Sequence, residues 1–183
     1  MSMIASFQSV IKTDYHLPKN GSFIQITEGA QNADNRELLI GGASCFGFSL
    51  DQSGSHPWGF IVPNPPAGIV SVCDGIVIAS CDGNDYVFII DLKSKSKSAD
   101  AKALKQLCSG KYIFEWLFNV MKLHRHVHTT PNVIGVVCKS RGTVAKRGTR
   151  KGINVEKKET DQGVVLIVAN PGRISVQDLI SNV

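Results

Sequence analysis

Apolar residues in this chain alternate or run in short blocks before residue 95, then recur at helical spacing, then run in blocks again. Residues 2–12 have the pattern of a short amphipathic helix. The stretch 13–37 is polar, with a turn signal at Lys19-Asn20-Gly21 and a brief apolar run at Phe23–Ile26. Residues 38–50 are glycine-rich but partly alternating (Cys45, Phe46, Phe48, Leu50), enough for one or two strands. A loop at 53–57 precedes a strand pattern at 58–62, which Pro63-Asn64-Pro65-Pro66 stops. Two β-branched runs, 72–78 and 87–93, flank Cys81-Asp82-Gly83-Asn84-Asp85 and predict a hairpin over about 69–93, because Asp-Gly readily takes positive φ in a tight turn. Ser98 is a good N-cap for one long helix, with apolar residues from Ala103 to Met121 and a break at Ser109-Gly110 left open. Pro131 limits its end, and the basic run His124-Arg125-His126-Val127-His128 suits an exposed helix C-terminus better than a zinc site. Buried strands are predicted at 133–138 and 163–168, a turn at Asn170-Pro171-Gly172, and a helix over 176–182 capped by Ser175-x-x-Asp178. The order predicts an α/β fold, a mixed sheet flanked by helices.

Composition narrows this picture. A chain of 183 residues with 43% hydrophobic content suits one compact domain, divisible into an N-terminal helix and irregular or strand region, 1–57, and a core, 58–183. Five cysteines, at 45, 73, 81, 108 and 138, form no C-x-x-C pair and read as reduced thiols of a cytoplasmic protein. The N-terminus lacks the pattern of a signal peptide, and no apolar run approaches the ~20 residues of a membrane span, so no membrane association is expected. Charge is uneven. Residues 139–158 carry eight cations (Lys139, Arg141, Lys146, Arg147, Arg150, Lys151, Lys157, Lys158) against Glu156 alone, while the rest, with twelve bases and fourteen acids, is slightly acidic. So local an excess, spaced by glycines, predicts a nucleic-acid-binding surface.

The candidate chemistry lies in the hairpin. If Asp82 and Gly83 are the two turn residues, Asp74 lies opposite Asp91; if the loop is longer, Asp74 faces Lys93 instead. Asp91 and Lys93 share a strand face in either register, because strand side chains repeat every two residues. Two acids and a lysine at one end of an apolar hairpin suit a hard cation and a phosphate.

An Asp at an apolar strand, a hairpin, Asp91-Leu92-Lys93 ending the next strand, then a helix and a strand: over about 58–140 this resembles the PD-(D/E)xK nuclease superfamily, which includes restriction endonucleases and Holliday-junction resolvases. Cys73 stands where a Pro often precedes the first acid. The Gln106-Leu107 pair lacks the Tyr that the exonuclease-like branch carries four residues later, since Gly110 is there. The resemblance implies a restriction-endonuclease-like mixed β-sheet flanked by helices, and a Mg²⁺-dependent (or Mn²⁺-dependent) endonuclease acting on DNA in restriction, defence or recombination. It implies Asp74, Asp91 and the Leu92 main-chain carbonyl as metal ligands, with Asp74, Asp91 and Lys93 catalytic. Lys139, Arg141, Lys146, Arg147, Arg150 and Lys151 would contact the DNA backbone. A further acid is expected, Glu37 or Glu28. The enzyme would act alone, as a homodimer or within a larger complex. The competing reading is a non-catalytic module of the same fold that binds nucleic acid or protein as a subunit of a larger complex.

Overall fold

The Asp82–Gly83 turn sets the register of the protein's centre. Both residues have positive φ, 51° and 78°, as a two-residue type I′ hairpin turn requires. Cys81 therefore pairs with Asn84, and the ladder continues to Gly75 opposite Ile90. Of the two registers open to the sequence, the one that sets Asp74 level with Asp91 is adopted.

In this computed structural model residues 2–28, 37–51, 61, 66, 68–93, 99–140, 155–169 and 172–183 are described. A six-stranded mixed sheet is built around the hairpin β5 (Gly75–Cys81) and β6 (Asn84–Lys93). On one side β4 (Ser44–Phe48) pairs antiparallel with β5. On the other, β7 (Asn132–Lys139) runs parallel to β6, and β9 (Gly163–Ala169) parallel to β7. The edge strand β8 (Val155–Thr160) is antiparallel to β9. A second, four-stranded sheet holds β1 (Lys19–Asn20), β2 (Phe23–Thr27), β3 (Glu37–Gly41) and β10 (Arg173–Ser175), the last parallel to β3. Three helices complete the order: α1 (Met3–Val10), α2 (Ala99–Leu123) and α3 (Val176–Ile180). The protein is thus a mixed α/β structure. Both sheets draw on chain from either side of residue 57, since β4 joins the six-stranded sheet and β10 returns to the four-stranded one.

Strand alternation divides the core into two layers. Ile76, Ile78, Val87 and Ile89 point to the face that packs against α1 and α2, with Phe7, Phe114 and Phe118. Val77, Ala79, Phe88, Ile90 and Leu92 point to the opposite face, against Ile24, Ile26, Leu38 and Ile40 of the four-stranded sheet and Leu179 of α3. Full burial of each such aliphatic or aromatic side chain contributes about 1.5–3 kcal/mol, so the layers hold the central hairpin from both sides. The same alternation puts Asp91 and Lys93 on the helix side, while Asp74 stands in the bend just before β5.

One point that the sequence left open is decided by the structure. Helix α2 runs unbroken through Ser109-Gly110. Gly110 is buried where α2 meets the sheet, and a Cβ there would stand 2.5 Å from Cys73 Sγ and 2.8 Å from Ile89 Cγ2. That glycine is a packing residue, not a break. The basic segment 139–158 ends within a strand. Its last residues form the edge strand β8, where Lys158 lies 3.4 Å from Glu156 and Lys157 3.9 Å from Glu159. A charged edge of this kind discourages pairing with another chain's strand. The helix C-terminus ends as expected in exposed basic residues. Arg125, with φ of 60°, turns the chain so that its N–H reaches Lys122 O and that of His126 reaches Met121 O, a Schellman closure. Ser98 and, except for Ile61, the strand pattern at 58–62 lie outside the described residues. The capping box at Ser175 and Asp178 forms as the sequence predicts.

Candidate functional site

Asp74 is the last residue before β5, and it is 4% exposed. Its Oδ2 accepts a hydrogen bond from the Leu92 main-chain amide, in the middle of Asp91-Leu92-Lys93. The first acid is thereby fastened to the segment carrying the second. A second tether holds it from the helix side: Gln106 Nε2 of α2 donates to Val72 O at 2.9 Å, while Gln106 Oε1 is buried without a hydrogen-bond partner.

Asp91 is fully buried, and Lys93 nearly so. Lys93 Nζ lies 2.9 Å from Asp91 Oδ1 and 2.8 Å from Oδ2. Only the Oδ1 contact has hydrogen-bond geometry, so Oδ2 receives charge but no directed donor. Leu92 sends its side chain into the opposite core layer.

The electrostatics follow from burial. Desolvation pushes the Asp74 carboxyl up to about 8, with the Asp91 charge adding to it and the Leu92 amide opposing. Desolvation also raises Asp91, to about 6, but the Lys93 hydrogen bond and charge hold it lower than Asp74. Burial therefore disfavours the charged form of both acids, and Lys93 makes Asp91 the easier of the two to ionise. The thiols of Cys73 and Cys138 are raised by burial and then by both carboxylates. None of the five cysteines is bridged.

Glu28, immediately after β2, adds negative charge that raises both Asp74 and Asp91. Asp51, just past the end of β4, is raised by partial desolvation and then by Glu28, while Lys93 and Lys102 lower it. Four acids and two lysines thus act on one another at one end of the six-stranded sheet. Glu37 is placed elsewhere: it is exposed at the start of β3, where it accepts from Gln25 Nε2 at 3.1 Å, and it is not among the charges that shift Asp74 or Asp91. Of the two acids considered, Glu28 is the one whose charge acts on the pair. Asp51 and Lys102 had no sequence signal: Asp51 follows a weak strand pattern, and Lys102 is one of several lysines flanking the start of α2.

The basic segment starts beside this cluster. Lys139 ends β7 level with Lys93, and the Ser140 amide donates to Lys93 O at 3.0 Å. The chain re-enters at Val155, level with Val168, next to the Ala169 that pairs with Lys139. Both attachment points are therefore at the sheet end that holds Asp91 and Lys93. Arg141, Lys146, Arg147, Arg150 and Lys151 themselves lie outside the described residues, as do Lys95 and Lys97.

A hard divalent cation is compatible with the donors present. Asp74 and Asp91 offer carboxylate oxygens from neighbouring segments, and Asp91 Oδ2 lacks a directed donor. Burial is the main cause of both raised pKa values, and the Lys93 ammonium already stands against Asp91. Among the described residues, no three His, Cys, Asp or Glu side chains are arranged as a metal-binding group. An apolar cleft of about 190 Å³ between α2 and β7–β9 lies apart from the cluster and is lined by none of its charged residues. No helix among the described residues is long and apolar enough to cross a membrane.

The fold and site define a mixed α/β protein with a buried acid pair and lysine at one end of its central hairpin. Comparisons with protein-family models, curated proteins and solved structures return no match to this chain.

Proposed function

We propose that the protein is a Mg²⁺-dependent endonuclease of the PD-(D/E)xK type that hydrolyses DNA phosphodiester bonds. The observation that carries this reading is the meeting of Asp74, Asp91 and Lys93 at one end of the hairpin: Asp91 and Lys93 pair on β6, and the Leu92 amide between them fastens Asp74 to the same segment. The restriction-endonuclease-like form of the sheet belongs to the same proposal, supported by the hairpin, the helix α2 and the parallel strand β7 that follow in order.

Each residue then has a role. Asp74 and Asp91 would hold the cation, with the Leu92 carbonyl adjoining, and Glu28 is the acid best placed to complete the set. A bound Mg²⁺ would supply Lewis acidity for the attack on phosphorus. Lys93, released from Asp91 as the cation's charge replaces its own, would stabilise charge developing on the phosphate oxygens. Lys139 and the basic residues 141–151 would draw the DNA backbone to this end of the sheet.

A second reading has an observation of its own. The Asp91–Lys93 pair is buried and closed, and the Asp74 carboxyl already has a donor, so the trio could serve as a structural network in a non-catalytic nucleic-acid- or protein-binding module. Supercoiled plasmid incubated with Mg²⁺ or Mn²⁺, read in parallel for binding and nicking, separates the two. The nuclease reading expects cleavage by the wild type that Asp91→Ala and Lys93→Ala abolish; binding without cleavage favours the module.

A further inference from the structure

The face of α2 that turns away from the sheet carries Tyr112, Trp116, Val120 and Leu123, spaced four, four and three residues apart and therefore aligned in one stripe. They are 56%, 58%, 37% and 77% exposed. Clustered exposure of large apolar groups on one stripe marks a contact surface. Along one flank of the stripe run Glu115, 3.8 Å from Lys111 one turn earlier, and Lys122, whose ammonium stands 5.9 Å from the Phe118 ring centroid. They are seven residues apart, so they lie on nearly the same side of the helix, two turns from each other.

That pair of opposite charges makes the face complementary to itself in one orientation. In a parallel pairing about a twofold axis along the helices, the flank that carries Glu115 and Lys122 lies on the opposite side of the seam from the partner's equivalent flank, so the two charges do not meet. In an antiparallel pairing about a twofold axis level with the Phe118–Asn119 bond, Glu115 comes level with the partner's Lys122, and Lys122 with the partner's Glu115. The same axis sets Trp116 level with the stretch between the partner's Val120 and the partner's Leu123.

We infer that α2 is a homodimer interface, two copies of this chain packing antiparallel through the second half of this helix. A twofold contact of this kind closes on itself and leaves no unpaired patch to propagate. The Glu115–Lys122 contacts lie on an exposed rim and set orientation and register more than affinity. Trp116 and Leu123 supply the apolar anchor. The inference stands apart from the proposed hydrolysis, because the stripe faces away from Asp74 and Asp91.

Charge reversal tests it on the full chain by sedimentation equilibrium. Wild type is expected to dimerise. Glu115→Lys alone and Lys122→Glu alone should each weaken the dimer about tenfold or more, and the double reversal should restore it, because reciprocity is regained. Trp116→Glu should leave a monomer with an unchanged far-UV spectrum. A wild type that stays monomeric up to about 1 mM, single reversals that leave the dimer unchanged, or a double reversal that fails to restore it would each overturn the inference.

Discussion

The Asp74 carboxylate takes its hydrogen bond from the main-chain amide of Leu92, so the side chain opening one strand is fixed to the backbone closing the next. This contact makes the spacing of Asp74 and Asp91 a property of the hairpin and not of side-chain rotamers. It also buries two acids together, which has consequences for stability.

The first concerns pH. Asp74 and Asp91 are raised to about 8 and about 6 from an ordinary value near 4. The folded state therefore holds protons that the unfolded chain has released. Their contribution to stability is complete below the unfolded pKa and is lost as pH rises through the folded one, over about pH 4 to 8 for Asp74. In buffer free of divalent ions, chemical denaturation should show stability falling across this window. Asp74→Asn should flatten the fall, because an amide oxygen can still accept from Leu92. Parallel pH profiles for wild type and variant would count against the assignment.

Cation binding should reverse that trend. A divalent ion favours the doubly ionised pair, so Mg²⁺ should raise the melting temperature more at pH 8–9 than at pH 6. At a hundredfold excess over the dissociation constant the gain is about 2.7 kcal/mol. Differential scanning fluorimetry with wild type, Asp74→Asn and Asp91→Asn checks this; equal shifts in all three would place the ion elsewhere.

Lys93 should be required for folding stability as well as for activity. Lys93→Met leaves a buried carboxylate without its partner, and removing one member of a buried pair costs about 3–5 kcal/mol. Asp91→Asn with Lys93→Gln removes both charges together and should recover much of that loss, while remaining without hydrolytic activity. Urea denaturation of the single and double variants measures the difference.

Much of the hairpin was legible before the structure, because Asp82-Gly83 between β-branched runs carries its own turn geometry. The sequence left the register open by one pairing, and the positive φ angles of Asp82 and Gly83 resolve it. The four-stranded sheet was far less legible: β10 has three residues and β1 two, too short for periodicity to register. Glu28 and Asp51 were obscure for a related reason. Neither lies on the hairpin that carries the acid pair, so only tertiary packing brings its charge there. Gly110 was ambiguous because a helix interior rarely keeps a glycine unless another element packs against it.

Gly110 accordingly provides a test of how the site is supported. Gly110→Ala would force a Cβ against Cys73 Sγ, next in sequence to Asp74. Overpacking of this kind costs about 1–3 kcal/mol. The variant should unfold at lower denaturant than wild type, whereas Ser109→Ala, one position earlier on the half-exposed side of the helix, should change stability little.

The central claim is that the acid cluster at the end of the hairpin hydrolyses phosphodiester bonds. It is tested most directly by rates of plasmid nicking in Mg²⁺ for Asp74→Asn, Asp91→Asn, Glu28→Gln and Glu37→Gln, each verified as folded. The account predicts a loss of at least about 10²-fold for the two aspartates, the scale of removing one group that acts in the transition state, a smaller loss for Glu28→Gln, and wild-type rates for Glu37→Gln. Nicking that persists undiminished in both aspartate variants would contradict it.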